Sequence, residues 1–241
     1  MKKSNKKAGI LGFGEIGSSL AKFYNNPKIK DLKRNDGLEG VEVLHVCIPW
    51  SDKFIDIVKK EIKEVNPKIT IIHSTVAPGT TKKLASMFSG MVVHSPVRGV
   101  HPYLFEGVKT FVKYIGADEK KAGETARKHL ASLGIKTKVF YPSMISESIK
   151  LWDTTQYGWM IALNKEIKKW CDKKGLDFDI IYAEANKSYN EGYRKLGREE
   201  VVRPYLKYMS GKIGGHCVIP NCHILDSEIA KYILLKNKSY K

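Results

Sequence analysis

The sequence predicts an α/β chain in two parts, a doubly wound parallel sheet over residues 1–141 and a smaller helical domain over residues 142–241. Three observations predict it. Short apolar runs alternate with helix-like segments as far as Phe140, the pattern that sets parallel strands between helices on both faces. The first of these runs opens straight into Gly12-Phe13-Gly14-Glu15-Ile16-Gly17. After Tyr141-Pro142 the apolar spacing changes to that of a helix, and no further strand pattern follows.

Taken in order, the strand-like runs fall at residues 7–11, 41–48, 69–73, 91–94, 112–115 and 136–140. Helices are expected over 16–25, 53–65, 80–88 and 119–133, the last closed by Gly134 as a C-cap. Beyond Pro142, Ile145, Ile149, Trp152, Met160, Leu163, Ile167 and Trp170 form one stripe of a long helix that runs up to Gly175. A second helix-rich stretch spans 180–196, a glycine motif at 214–217 interrupts it, and a last helix covers 224–235. With 241 residues, 42% of them hydrophobic, the chain can bury a substantial core.

The glycine run has the context that a Rossmann-type dinucleotide loop requires, a strand before it and a helix after it. Its first glycine permits a tight turn, its second lets backbone N–H groups approach a pyrophosphate, and its third lets helix and strand pack closely. Gly12, Phe13, Gly14, Glu15, Ile16 and Gly17 are therefore the expected cofactor-binding residues. Asp31 lies at the distance expected of the acid that grips the adenosine ribose. Its carboxylate favours NAD and disfavours NADP, although Lys33 and Arg34 stand near enough to offset repulsion of a 2′-phosphate. Pro49, Ser74 and Thr75 end two later strands, on the sheet edge where ligands of open α/β sheets sit. Thr75 is placed at the nicotinamide; the plainer reading makes Ser74 and Thr80 turn and N-cap residues.

Lysine and arginine exceed aspartate and glutamate by 42 to 25, a net charge of +17. The lysines are spread along the chain with no dense tract or aromatic interleaving. The charge is read as solvated surface that suits a phosphorylated small molecule, and nucleic acid is not an expected partner. No apolar run is long enough to span a bilayer and the N-terminus is lysine-rich, so a cytoplasmic protein without membrane partners is expected. Cys47, Cys171, Cys217 and Cys222 are too few and scattered for a disulfide scaffold; Cys47 and Cys171 read as small core residues. Cys217 differs, because Gly214 and Gly215 precede it and leave a substrate room to approach a thiol. His216, Cys217, Cys222 and His223 crowd together, but adjacent side chains rarely point at one ion, and no metal site is expected. His94 and His101 flank Arg98, whose guanidinium can hold a phosphate or carboxylate with two bonds.

Five segments in this order resemble the UDP-glucose/GDP-mannose dehydrogenase family. They are the glycine loop, Ser74-Thr75-Val76-Ala77-Pro78-Gly79-Thr80-Thr81, Ser95-Pro96-Val97-Arg98, Glu147-Ser148-Ile149-Lys150 opening the long helix, and Gly214-Gly215-His216-Cys217. The resemblance implies NAD-dependent oxidation of a sugar-nucleotide alcohol. It makes Cys217 the covalent nucleophile and Lys150 the group that stabilises or protonates the developing alkoxide, with Thr75, Thr154 and Asn221 in support. Arg98, Gly214 and Gly215 are then substrate-binding, and the long helix is similar to one that joins two copies into a homodimer.

The chain departs from that family at three positions. Val97 stands where the family has a glutamate tied to water activation, Thr154 where it has an asparagine, and Asn221 where it has an aspartate. A further nucleotide-binding domain of the family is not expected after the glycine–cysteine segment. The alternative expectation is a nucleotide-binding protein that kept the cofactor loop while its chemistry decayed.

Overall fold

A computed structural model describes residues 3–99 and 102–240, which divide into two compact units, Met1–Lys150 and Leu151–Lys241. The sequence placed the boundary earlier, after residue 141. The first turn of the long helix is what moves it, because that turn is bonded into the sheet unit.

In the first unit the sequence alternation becomes one eight-stranded sheet. Its strands are β1 (Ala8–Leu11), β2 (Lys28–Asp31), β3 (Arg34–Asn35), β4 (Val43–Val46), β5 (Ile69–Ile72), β6 (Val92–His94), β7 (Lys113–Gly116) and β8 (Thr137–Phe140), in the order β3-β2-β1-β4-β5-β6-β7-β8. The helices are α1 (Glu15–Ala21), α2 (Phe54–Val65), α3 (Thr80–Ala85), α4 (Leu104–Thr110) and α5 (Lys120–Ser132). The sheet is mostly parallel rather than wholly so: β3 runs antiparallel to β2, and β6 antiparallel to β7. A two-residue turn at Leu32 and Lys33 returns the chain beside β2 where a helical crossover would have kept it parallel.

Two cores cover the two faces. Ala8, Val43, Ile69, Ile71 and Val93 meet Leu20, Phe23, Ala126 and Leu130 on one side; Leu11, Leu44, Val46, Ile72 and Val92 meet Phe54, Val58, Ile62 and Leu84 on the other. The alternation of neighbouring strand residues between the clusters is the period-two pleat at work. Each aliphatic side chain so buried contributes about 1.5–3 kcal/mol. Helix α2 stops at Asn66, which takes the left-handed conformation (φ 48°) that ends helices, and its N–H bonds to Ile62 O.

The long helix, α6 (Met144–Lys174), has 31 residues. Its start is tied to the sheet: Ser143 Oγ donates to Asp118 Oδ2 at 2.6 Å, and Ser146 Oγ lies 2.8 Å from His94 Nδ1. Gly116 makes this approach possible, since a Cβ there would lie 2.1 Å from Ser146 Oγ.

The second unit holds the rest of α6. A π-helical turn (Asp179–Glu184) runs into α7 (Ala185–Lys195), and α8 (Val218–Ile224) and α9 (Glu228–Ser239) follow. The terminal helix expected over 224–235 is α9, which starts and ends four residues later, and α8 precedes it: the chain leaves helical geometry at Leu225 (ψ 111°), and Ser227 caps α9 by accepting from Ala230 N at 3.1 Å. Ile213, Val218, Cys222, Ala230 and Ile233 form one core; Cys171, Phe178 and Tyr182 form another. Gly158 admits Val218 against α6, where a Cβ would lie 2.5 Å from Val218 Cγ1. No helix among the described residues is long and apolar enough to cross a membrane.

Candidate functional site

The loop after β1 is shaped by its three glycines, each for a different reason. Gly12 has φ +93°, and a Cβ on it would sit 2.8 Å from the carbonyl carbon of Cys47, so the loop lies flush against the end of β4. A Cβ on Gly17 would lie 2.0 Å from Gly12 O, so only glycine lets the first turn of α1 close onto the loop. Gly14 is exposed and nothing lies within 4 Å of where its Cβ would be. Two glycines are therefore consumed by packing, and the third leaves an open backbone face. Gly12 N donates to Lys30 O (2.8 Å) and Cys47 N to Leu11 O (2.7 Å), which sets the loop between β2 and β4. That is the point where connections leave β1 in opposite directions, the position at which open α/β sheets bind ligands.

Asp31 ends β2, and its Oδ2 accepts from Phe13 N at 2.7 Å. It is an anchored acid beside the glycine loop rather than a solvated turn residue. The cation nearest to offsetting it is engaged elsewhere: Arg34 forks onto Asp36 (Nε to Oδ1 2.9 Å, Nη2 to Oδ2 2.7 Å), which holds the Asp36 carboxyl below its usual range. Glu15 is exposed, Phe13 and Ile16 are half-buried, and Pro49 is exposed just after β4. An open Gly14 face with a carboxylate at the β2 end fits a dinucleotide.

Ser74 is buried, and its hydroxyl donates to Ile48 O at 2.6 Å, joining the ends of β4 and β5. It holds the wall of the crevice, and Thr75 beside it is half-buried. Thr80 donates to Ala77 O at 2.7 Å and caps nothing; the capping group is the remote Glu147, whose carboxylate accepts from Gly79 N (2.6 Å) and Thr81 N (2.8 Å). Burial pushes the Glu147 carboxyl up, and these bonds pull it back in part.

The loop after β6 gathers the next group. Lys150 Nζ donates to Val97 O at 3.1 Å. The Val97 side chain, 5% exposed, belongs to the core with Leu104, Val108 and Ile115. Arg98 lies over the Tyr114 ring at 4.9 Å. His101 lies outside the described residues.

In the second unit, Cys217 is half-buried, reduced, and stands at the N-terminal end of α8. Gly215 has φ +78°, and neither Gly214 nor Gly215 has an atom within 4 Å of its Cβ direction, so the approach along these glycines is open. One turn on, buried Asn221 bonds backbone to backbone with Cys217 O (3.1 Å), and its Nδ2 donates to Thr154 Oγ1 at 2.9 Å. The two departures from the family pattern thus meet as a neutral hydrogen-bonded pair.

Sequence reasoning missed the polar groups buried beneath the strand ends. Lys113 departs from the solvated surface expected of the lysines in general: it is 3% exposed, and its Nζ donates to Ser95 O (2.7 Å) and Pro96 O (3.0 Å). His73 Nδ1 donates to the same Ser95 O at 2.8 Å. That bond fixes the tautomer, and the rest of a chain follows: His45 Nδ1 donates to His73 Nε2 (2.9 Å), Tyr24 O–H to His45 Nε2 (2.7 Å), and His129 Nε2 to Tyr24 O (2.7 Å). Lys6 Nζ closes it, 3.5 Å from His129 Nδ1. Burial holds all these histidines below their ordinary pKa, His129 at about 4, and His94 on a separate bond to Ser74 O at about 3.

Fold and loop together define a Rossmann-like α/β protein with a glycine loop at the end of its first strand. No protein-family model matches the sequence. UDP-N-acetyl-D-mannosamine dehydrogenase of Pyrococcus horikoshii is 26% identical over 93% of this chain and 55% of its own length. The structure of UDP-D-ManNAc dehydrogenase from Pyrococcus horikoshii superposes with a TM-score of 0.77 at 20% identity, over 96% of this chain and 68% of that one. A UDP-glucose dehydrogenase from Pyrobaculum islandicum superposes with a TM-score of 0.73 at 15% identity, over 98% and 69%. The chain resembles the nucleotide-sugar dehydrogenases over nearly all its residues, and it spans about half the length of the curated relatives it matches.

Proposed function

We propose that this chain is the cofactor-binding and thiol-bearing portion of an NAD-dependent oxidoreductase acting on a CH–OH group of a sugar nucleotide. The observation that carries the reading is the glycine loop, with Gly12 and Gly17 locked by packing, Gly14 open, and Asp31 anchored at the ribose side. The similarity to enzymes named for UDP-sugars supports the substrate class.

NAD, when bound, supplies the acceptor for the hydrogen that leaves the alcohol carbon with its electron pair. The rest falls to the chain. The backbone N–H groups around Gly14 face the pyrophosphate, and Asp31 accepts from the ribose hydroxyls and repels a 2′-phosphate. Lys150, as an ammonium, stabilises the alkoxide that develops as the hydroxyl proton passes to solvent, and Arg98 and Thr75 orient the substrate. Cys217 adds through sulfur to an aldehyde product, with Gly214 and Gly215 giving access and the Thr154–Asn221 pair steadying the turn. Valine moves no proton, so the reaction stops at two electrons.

The exposed stripe of Trp152, Trp159, Leu163 and Trp170 on α6 supports a homodimer formed through this helix. Sedimentation of the Trp159→Glu variant as a monomer is the expected outcome. Val97 in the core also favours a second reading, a binding protein without turnover. Thermal shift with NAD, NADP, and UDP- and GDP-sugars, followed by NADH production in wild type and Cys217→Ser, separates the two. Binding of NAD and a UDP-sugar with NADH formed by wild type supports the enzyme, the Cys217→Ser variant still forming NADH but releasing the aldehyde sooner; binding with no NADH from any sugar nucleotide supports the second reading.

A further inference from the structure

Lys113 is a buried amine that the proposed chemistry does not use. It sits on β7, a strand whose neighbouring Ile115 is wholly buried, and it places Nζ on two successive carbonyls, Ser95 O at 2.7 Å and Pro96 O at 3.0 Å. The next carbonyl along the chain, Val97 O, receives Lys150 Nζ at 3.1 Å. Three consecutive carbonyls therefore meet two amines. The row is tied at its first residue by other bonds: His73 Nδ1 also donates to Ser95 O, and Ser95 Oγ donates to Tyr114 O at 2.8 Å. Pro96 has no N–H with which to hold itself, so Lys113 is what fixes the middle of the row.

We infer that Lys113 is a positioning residue for Lys150, setting the carbonyl row on which the Lys150 ammonium rests. The inference rests on the reading of Lys150 as the residue that works at the alcohol oxygen. A neutral amine carries two N–H groups, and the two carbonyls use both, so Lys113 can hold the row unprotonated. Burial lowers its pKa to about 7, with the Lys150 charge pushing the same way and Cys47 opposing. The other titratable groups around it, His45, His73 and His94, are kept neutral by burial. Below about pH 7, Lys113 gains a third proton and becomes a second cation beside Lys150.

The test uses the full chain as wild type, Lys113→Met and Lys113→Arg. Amide hydrogen exchange should quicken about tenfold in the loop 95–98 of Lys113→Met, while peptides of β1 and β4 keep wild-type rates. Lys113→Arg, which keeps paired donors, should restore protection of the loop. Turnover should fall about tenfold in Lys113→Met with KM for NAD unchanged, and an inflection of kcat near pH 7 in wild type should vanish in both variants. Equal quickening across the whole sheet, an undisturbed loop, or a retained inflection each overturns the inference. Should Lys113→Met not fold, Lys113→Arg decides by its inflection. Wild-type protein that binds NAD yet oxidises no sugar nucleotide sinks the proposed reaction instead, and the exchange pattern then decides the role of Lys113 by itself.

Discussion

Replacing each loop glycine by alanine separates structural need from ligand need, because the three positions differ so sharply in what a methyl group would meet. At Gly17 the methyl would lie 2.0 Å from Gly12 O, well inside contact distance, and the neighbour is backbone that cannot rotate away. Overpacking of this kind costs about 1–3 kcal/mol or more, against which the helix gains about 1 kcal/mol from exchanging glycine for alanine. A net loss of about 2 kcal/mol is expected for Gly17→Ala, read as a thermal midpoint lower by about 4–8 °C. At Gly14 the methyl meets nothing and φ is −69°, a value any residue adopts. Gly14→Ala should therefore unfold within about 1 °C of wild type, or slightly above it, since the unfolded chain loses freedom. Ligand response reverses the order: NAD should raise the midpoint of wild type, and raise that of Gly14→Ala far less, because the methyl occupies the face left for the pyrophosphate. Scanning calorimetry with and without NAD measures both. A Gly17→Ala protein as stable as wild type refutes the packing argument. A Gly14→Ala protein with the full NAD response refutes the placement of the cofactor.

Acid should destabilise the sheet unit early. His94 and His129 have folded pKa values depressed to about 3 and about 4 from 6.5, so the unfolded chain takes protons that the folded one refuses; stability is held above pH 6.5 and lost below it. At pH 5 each of the two costs about 2 kcal/mol, His45 and His73 add in the same direction, and urea midpoints that stay flat from pH 6.5 to 5 would contradict this. Glu147→Ala strips the acceptor from Gly79 N and Thr81 N and should cost about 3 kcal/mol in urea denaturation, with Glu147→Gln losing less because its amide oxygen still accepts one of them. Equal losses in the two variants would assign the effect to packing.

Much of the first unit was legible because its signals are local. The runs that form β1, β4 and β5 are mainly apolar, broken only by His45 and Thr70, and the glycine loop declares itself by spacing. Strand β2 was not read, since in Lys28-Ile29-Lys30-Asp31 only Ile29 is apolar. Its register depends on pairing with β1, and on Lys30 reaching buried Glu61 at 2.7 Å, which no local pattern encodes. The antiparallel turn of β7 against β6 is hidden for the same reason, because strand direction is a property of the crossover and not of the strand.

Site residues divide along the same line. Cys217 and Lys150 could be singled out because their neighbours form recognisable strings, whereas Lys113, His45, His73 and Glu147 act across 18, 28, 28 and 66 residues of chain. A lysine in an apolar strand reads as a surface residue until its acceptors are known. What turns it inward is a proline-containing loop that presents bare carbonyls at the strand end. The physical rule that follows is an accounting one. A buried carbonyl without a backbone partner must be met by some donor, and where the partner strand cannot supply an N–H, a long side chain from the next strand does. Applied to the loop 95–97, that rule asks which donors serve Ser95 O and Pro96 O, and Lys113 of β7 meets both, with His73 sharing the first.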